Sequence, residues 1–323
     1  MPAQEHLTVT VKETRSEAAG VRSLVLAARE GGSLPAWTPG AHIDVVLSRD
    51  LVRQYSLSSG TEEAQGAEKA GWRIAVLREP DGRGGSAYLH DRVEAGDTLL
   101  VSAPRNNFAL DLDTPLLVFV AGGIGITPIL PMLAAAERAG ADWKLLYLGR
   151  SAESMAFTEE LTRYGERVRL HRDDVSGVAD LTAELDGMRA AHAHVYACGP
   201  AGLLAAVQEY ADAHPQSRLT LERFAAAPEG HAQDGDRPFT VETADGQEIE
   251  VGAGQSIVDA LTQAGVRTLT SCREGVCGTC ETPVLGGTPD HRDQLLSEEE
   301  RAAGDVMMIC VSRCQGERLV LDV

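Results

Sequence analysis

Four cysteines close to the end of this 323-residue chain, Cys272, Cys277, Cys280 and Cys310, are spaced Cys-x4-Cys-x2-Cys-x29-Cys. Thiolates at x4 and x2 spacing with a distant fourth form the ligand set of a plant-type [2Fe–2S] cluster, in which tetrahedral iron is held by soft sulfur. Such a cluster carries single electrons and does no bond chemistry, so the pattern predicts electron transfer. The loop Ser271-Cys272-Arg273-Glu274-Gly275-Val276-Cys277-Gly278-Thr279-Cys280 suits that task. Gly275 and Gly278 allow tight turns that aim backbone N–H groups at cluster sulfurs, a contact that helps set the reduction potential.

Two other thiol chemistries compete. A zinc site usually takes two short ligand pairs, whereas here the first gap is four residues and the fourth ligand is isolated. Disulfides belong to oxidising compartments, and the polar start Met1-Pro2-Ala3-Gln4-Glu5-His6 has no apolar signal-peptide core. Cys314, four residues after Cys310, raises a question of registration for the last ligand.

Other stretches carry the composition of phosphate and nucleotide sites. Ala121-Gly122-Gly123-Ile124-Gly125-Ile126-Thr127-Pro128 follows a wholly apolar run, Leu116 to Val120, and precedes a helical pattern. Open α/β sheets bind nucleotides at such a strand-to-helix turn, where glycines admit the backbone to a pyrophosphate and the helix start favours its charge. Tyr196-Ala197-Cys198-Gly199-Pro200 has the same setting. A tight turn and a buried, inert Cys198 are the plainer alternatives. Earlier, Arg53-Gln54-Tyr55-Ser56-Leu57-Ser58 alternates a cation, a ring and hydroxyls along a strand, and Gly82-Arg83-Gly84-Gly85-Ser86 opens a short helix as a phosphate cradle would.

The elements that must position these groups change character along the chain. Short alternating segments (7–12, 21–26, 43–47, 54–57, 73–77 and 98–101), separated by Gly, Pro and Asp, predict an antiparallel barrel. From Leu116 to Ala211, apolar strands (116–120, 144–148, 168–171 and 194–197) alternate with helical stretches (129–139, around Glu159, and 201–211), which predicts a parallel sheet covered on both faces. After the turn-rich stretch Ala225 to Pro238, strands at 239–243 and 248–251 flank Asp245-Gly246, and Ser256 caps a helix ending at Gly265. This last part is a compact α+β unit.

Composition narrows the function. The net charge of −19 argues against nucleic acid, which needs concentrated positive charge. From Pro238 to Val323 there are 15 Asp and Glu against 6 Arg and no Lys, an electronegative face suited to a basic partner or simply to solvent. No apolar run approaches the roughly 20 residues needed to span a bilayer, and the expectation is a cytoplasmic protein with no membrane association.

In combination, Arg53-x-Tyr55-Ser56-Leu57, Gly82-Arg83-Gly84-Gly85-Ser86, the glycine turn Gly122 to Pro128, Cys198-Gly199-Pro200 and the four cysteines resemble the phthalate dioxygenase reductase family over essentially the whole chain. His42-Ile43-Asp44, Asp290-His291-Arg292-Asp293 and Cys310-Val311-Ser312-Arg313 are similar to that family as well. The resemblance implies a multidomain fold. Residues 1–112 would form an FMN-binding antiparallel β-barrel, 113–226 an NAD(P)-binding α/β parallel-sheet domain, 227–237 a linker, and 238–323 a plant-type, β-grasp ferredoxin domain. Arg53, Tyr55 and Ser56 would hold FMN, with Gly84, Gly85 and Ser86 at its phosphate. Gly122, Gly123, Gly125 and Thr127 would line the path of the nicotinamide nucleotide, Cys198 and Gly199 would lie near the nicotinamide, and Glu222 and Phe224 would end the domain beside the flavin. Cys310, in the Cys-Val-Ser-Arg pattern, would be the fourth cluster ligand, and Asp290 to Asp293 would shape the ferredoxin fold.

The implied activity is that of an NAD(P)H-dependent reductase passing electrons through FMN and a [2Fe–2S] cluster to a Rieske-type oxygenase. A cytochrome P450 as acceptor is the near alternative, and a non-catalytic redox-sensing protein is one from another class. After the second strand of the nucleotide domain the chain reads Leu148-Gly149-Arg150-Ser151, where an acidic residue would favour NADH. Arg150 and Ser151 could accept a 2′-phosphate, so both NADH and NADPH stay open as donors.

Overall fold

The structure is a computed structural model that describes residues 6–29, 32–48, 51–59, 71–80, 82–224, 233 and 235–323. Most of the expected linker lies outside the described residues. The chain divides into two compact units, one running to Arg223 and the other from Phe224 to Val323.

The first unit holds two sheets. Strands β1 (His6–Ala18), β2 (Val21–Ala28), β3 (His42–Ser48), β4 (Leu51–Ser56), β5 (Trp72–Leu77) and β6 (Thr98–Ser102) pair antiparallel in the order β4-β3-β6-β1-β2-β5. The edges meet where Ser58 N–H donates to the Arg73 carbonyl at 2.8 Å, curling the sheet toward a barrel. Alternate residues Val9, Val11, Leu24, Leu26, Ile43, Val45, Ile74 and Val76 fill its interior. Helix α1 (Gly85–Asp91) follows β5.

The second sheet is parallel: β7 (Leu117–Gly122), β8 (Trp143–Gly149), β9 (Val168–Arg172), β10 (His194–Cys198) and β11 (Arg218–Glu222), in the order β11-β10-β7-β8-β9. Helices α2 (Ile126–Ala139), α3 (Thr158–Leu161), α4 (Asp173–Ser176), α5 (Leu181–Gly187) and α6 (Ala201–Ala213) connect or flank it. The period of two sorts the strands onto two cores. Leu117, Phe119 and Ala121 pack with α2, whereas Val118 and Val120 pack with Leu204 and Val207 of α6. Strand order reverses between β7 and β10, and the carboxyl ends at this switch point carry both glycine turns. The α2 core reaches the barrel through Val21, Ala75 and Phe108.

The second unit contains β12 (Phe239–Thr243), β13 (Glu248–Val251), α7 (Ile257–Gln263), β14 (Glu281–Gly286), β15 (Pro289–Asp290), α8 (Glu298–Ala303), β16 (Val306–Met308), β17 (Arg313–Cys314) and β18 (Arg318–Leu321). Its main sheet runs β13-β12-β18-β14-β16, with β12 and β18 parallel at the centre, and β15 pairs with β17. Ser256 caps α7 by accepting the Asp259 N–H at 3.1 Å, and Ile257, Val258, Ala260 and Leu261 bury the helix against the sheet. Among the described residues no helix is long and apolar enough to cross a membrane.

Candidate cofactor and iron–sulfur sites

The loop between α7 and β14 and the turn after β16 bring four thiols together. Cys277, Cys280 and Cys310 are buried and Cys272 is half-buried. The sulfurs neighbour one another in a chain: Cys277 beside Cys272, Cys272 beside Cys310, and Cys310 beside Cys280. Among the described residues no three Cys, His, Asp or Glu side chains are arranged around a single ion. These are the four thiols whose sequence spacing matches the ligand set of a [2Fe–2S] cluster. The Glu274 N–H donates to the Cys272 sulfur at 3.2 Å, and the backbones of Val276 and Gly275 face Cys272 and Cys310. Contact with Cys272 and then burial push the Cys277 thiol well above its ordinary pKa, so with no cation beside it this sulfur keeps its proton. Cys314 sits apart, its sulfur 3.4 Å from the Arg318 carbonyl oxygen.

Positive φ at Gly275 (70°) is matched by a close approach, since a Cβ there would lie 3.0 Å from Asp293 Cα. Asp293 in turn accepts N–H bonds from Leu295 and Leu296 at 3.1 and 2.8 Å, the shaping role expected for this segment. Sequence reasoning missed Asp236, whose carboxylate takes two bonds from Arg292, at 2.9 and 2.6 Å, and lies 3.5 Å from Arg313. Arg313 also donates to the carbonyls of Gln255, Arg237 and Gly252 and stacks over Phe239. This buried knot fixes the segment that follows Cys310, and nothing in local composition signals it.

In the barrel, β4 carries Arg53, Tyr55 and Ser56. A Cβ on Gly85 would fall 2.5 Å from Arg53 Cγ, so the arginine stem lies directly on the start of α1. Gly84 precedes that helix in the left-handed conformation (φ 87°), and the Ser86 hydroxyl accepts the Glu79 N–H at 3.0 Å. A cation, a glycine-lined backbone and a hydroxyl thus meet, a set that fits a phosphate. Burial raises the Tyr55 pKa, with Arg53 opposing, so the ring offers an apolar, neutral surface. Among the described residues the buried Ser56 hydroxyl has no hydrogen-bond partner, which fits a polar ligand edge arriving there. Arg73 on β5 bonds to the Ser58 carbonyl at 2.7 Å, pairs with Glu160 of α3 and lies over Phe157, tying the flavin-motif strand to the parallel sheet.

At the switch point, a Cβ on Gly122 would lie 2.7 Å from Pro200 Cδ, and one on Gly199 would lie 3.0 Å from Gly122 Cα. The two glycine turns therefore pack backbone to backbone, leaving their outer faces bare of side chains as a dinucleotide needs. Gly123 takes positive φ at the turn. The Thr127 hydroxyl donates to the Ile124 carbonyl at 3.0 Å and is buried, so it braces the turn. Cys198 and Glu222 are cross-strand partners, with the thiol 3.8 Å from the carboxylate. Burial first, then Glu222, raises the Cys198 pKa well above its ordinary value, which marks an unreactive thiol at neutral pH. Arg150 is exposed just beyond the end of β8, whereas Ser151 is occupied in a capping box with Ser154. Phe224 is 43 % exposed.

Comparison with known proteins identifies the family and the fold. Residues 240–315 match the 2Fe-2S iron-sulfur cluster binding domain family. A putative toluene-4-sulfonate monooxygenase system reductase subunit of Comamonas testosteroni is 41 % identical, with 98 % of each chain covered. The structure of phthalate dioxygenase reductase, described as modular for electron transfer from pyridine nucleotides to [2Fe–2S], superposes with a TM-score of 0.71 at 34 % identity over 98 % of each chain. An intact type IV self-sufficient cytochrome P450 monooxygenase matches with a TM-score of 0.86 at 39 % identity, this chain covering 41 % of that longer one. With an antiparallel flavin-domain sheet, a parallel nucleotide-domain sheet and a C-terminal [2Fe–2S] ferredoxin domain, this electron-transfer oxidoreductase belongs to the phthalate dioxygenase reductase family.

Proposed function

We propose that the chain is the reductase component of a multicomponent oxygenase, drawing electrons from NAD(P)H and delivering them to a Rieske-type oxygenase in the cytoplasm. The observation that carries this reading is the chain of four thiols, Cys277, Cys272, Cys310 and Cys280, on the same polypeptide as the flavin and nucleotide motifs. When bound, the nicotinamide supplies a hydride, the flavin splits the electron pair, and the cluster relays single electrons.

The chain's own residues bind and orient. Arg53 and the start of α1, with Gly84, Gly85 and Ser86, hold the FMN phosphate; Tyr55 covers the ring, and Ser56 meets its polar edge. Gly122, Gly123 and Gly125 let the nucleotide backbone lie close, Thr127 braces that turn, and Cys198, Gly199 and Glu222 shape the nicotinamide end. Phe224, to which the resemblance gives the same role, is the first residue of the second unit. Arg150 stands where an adenosine ribose would be read. Cys272, Cys277, Cys280 and Cys310 ligate iron. The proposed division is 1–112 for the flavin, 113–226 for the nucleotide, a linker at 227–237 and 238–323 for the cluster.

Delivery to a cytochrome P450 is the second reading, favoured by the likeness to the self-sufficient P450 monooxygenase. The test is reduction of purified acceptors by the NADH-supplied holoprotein. Fast reduction of a Rieske-type oxygenase and slow reduction of a P450 is the expected result; the converse supports the second reading, and turnover with neither contradicts both.

A further inference from the structure

Gly275, inside the cysteine loop, is pinched from two sides. A Cβ there would fall 2.6 Å from Val311 Cγ2 and 3.3 Å from Asp293 Cβ, and its carbonyl accepts the Gln294 N–H at 3.0 Å. Its own N–H is hydrogen-bonded to the Cys310 sulfur. Residues 293 and 294 therefore fix where one sulfur-directed amide points.

That segment is itself held by a buried charge. The Asp293 side chain is fully buried. One carboxylate oxygen accepts the N–H groups of Leu295 and Leu296 and lies 3.3 Å from the Arg301 guanidinium on α8. Arg301 also donates to the carbonyls of Asp293 and Leu296. Packing alone does not call for an ion pair here, because an apolar residue fills space without the cost of desolvating a charge. What the pair adds is a single backbone arrangement, fixed by directional bonds that converge on one oxygen. An amide donated to a ligand sulfur stabilises the more negative, reduced cluster and so raises its potential. On the assignment of Cys310 as a cluster ligand, we propose that Asp293, braced by Arg301, is a positioning residue. It holds the Gly275 amide on the Cys310 sulfur and thereby sets the reduction potential of the cluster.

Substitutions at Asp293 separate positioning from charge. Asp293→Asn keeps an oxygen for the Leu295 and Leu296 N–H groups but removes the negative charge, so its potential should rise. Asp293→Ala removes the same charge and the acceptor with it. Its potential should lie below that of Asp293→Asn by about tenfold in the reduction equilibrium, the weight of one hydrogen bond, or ~59 mV for one electron. Both are read by redox titration of the full-length holoprotein followed by electron paramagnetic resonance. Resonance Raman bands of Fe–S stretching, compared in light and heavy water, read the amide itself. Their deuterium shift should survive in Asp293→Asn and shrink in Asp293→Ala. Should Asp293→Ala not fold, Arg301→Gln, which loosens the pair from its exposed side, should shrink the shift in its place. Equal potentials in the two Asp293 variants, or a deuterium shift unmoved in Asp293→Ala and Arg301→Gln, overturn the proposal and leave the cluster reading intact. A Cys310→Ser protein with a native cluster spectrum overturns the ligand assignment, and this inference with it.

Discussion

A Cβ on Gly125 would lie 2.2 Å from the carbonyl oxygen of Cys198, so these two residues, one from each glycine turn, touch through backbone alone. The contact joins the ends of β7 and β10, the strands between which the sheet order reverses. It fixes the spacing of the two turns at the point where an open α/β sheet receives a dinucleotide.

Gly125→Ala must part the turns, since neither atom belongs to a flexible side chain. We expect a stability loss of about 1–3 kcal/mol and a rise of about tenfold or more in the KM for NADH, which a displacement near 1 Å can cause. Flavin and iron content should match wild type. Steady-state kinetics with a small-molecule acceptor checks this, and an unchanged KM would remove the nucleotide from this turn.

Cys310 and Cys314 differ in what surrounds them: Cys310 neighbours Cys272 and Cys280, and Cys314 faces the carbonyl of Arg318, the first residue of β18. Cys310→Ser should therefore lose the native cluster spectrum and most of its iron, while Cys314→Ser keeps both. Iron and sulfide assays distinguish them, and a Cys310→Ser protein with a stable native spectrum would show that the fourth ligand is misassigned.

Asp236→Asn removes a carboxylate that both Arg292 and Arg313 share. Breaking a buried ion pair from one side costs about 3 kcal/mol, so the cluster should bleach at a lower temperature than in wild type. Hydrogen bonding to Arg292 lowers the Asp236 pKa from 3.8 to about 2. Its contribution is then fully present above the unfolded value and is lost only as pH falls through that value toward 2. The gap between variant and wild type should thus be the same at pH 6 and pH 8. A gap that changed across this range would point to another titrating group.

Arg150 is exposed where the adenosine ribose is expected, and Ser151 is taken up by its cap. Arg150→Glu should lower kcat/KM for NADPH by about tenfold or more relative to NADH, because a carboxylate repels the 2′-phosphate and accepts the ribose hydroxyl. An unaltered ratio would place Arg150 outside the nucleotide site.

Much of this arrangement was legible from residue order because it depends on local rules. The thiol spacing, the glycine turns and the alternation of β12 (Phe239–Thr243) act over a few residues, and the observed strand has the expected bounds. Other elements ran longer than expected: β1 extends to Ala18, where its polar half is held by pairing with β2 and not by burial. The contacts that join distant segments left no local trace. Cys198 meets Glu222 only because β10 and β11 are neighbours, Asp236 meets Arg313 only after the second unit folds, and His42 faces Ser56 through the register of β3 and β4.

The central claim is that one chain carries a flavin and a [2Fe–2S] cluster reducible by a nicotinamide nucleotide. It is tested most directly by the visible spectrum of the purified protein before and after anaerobic addition of NADH or NADPH. Flavin bands over broad absorption reaching toward 550 nm (an order-of-magnitude position, about 550 nm, for the cluster class) should bleach together within the mixing time of the preferred nucleotide. A flavin spectrum without the broad absorption, or two chromophores that nucleotide leaves oxidised, would contradict the account.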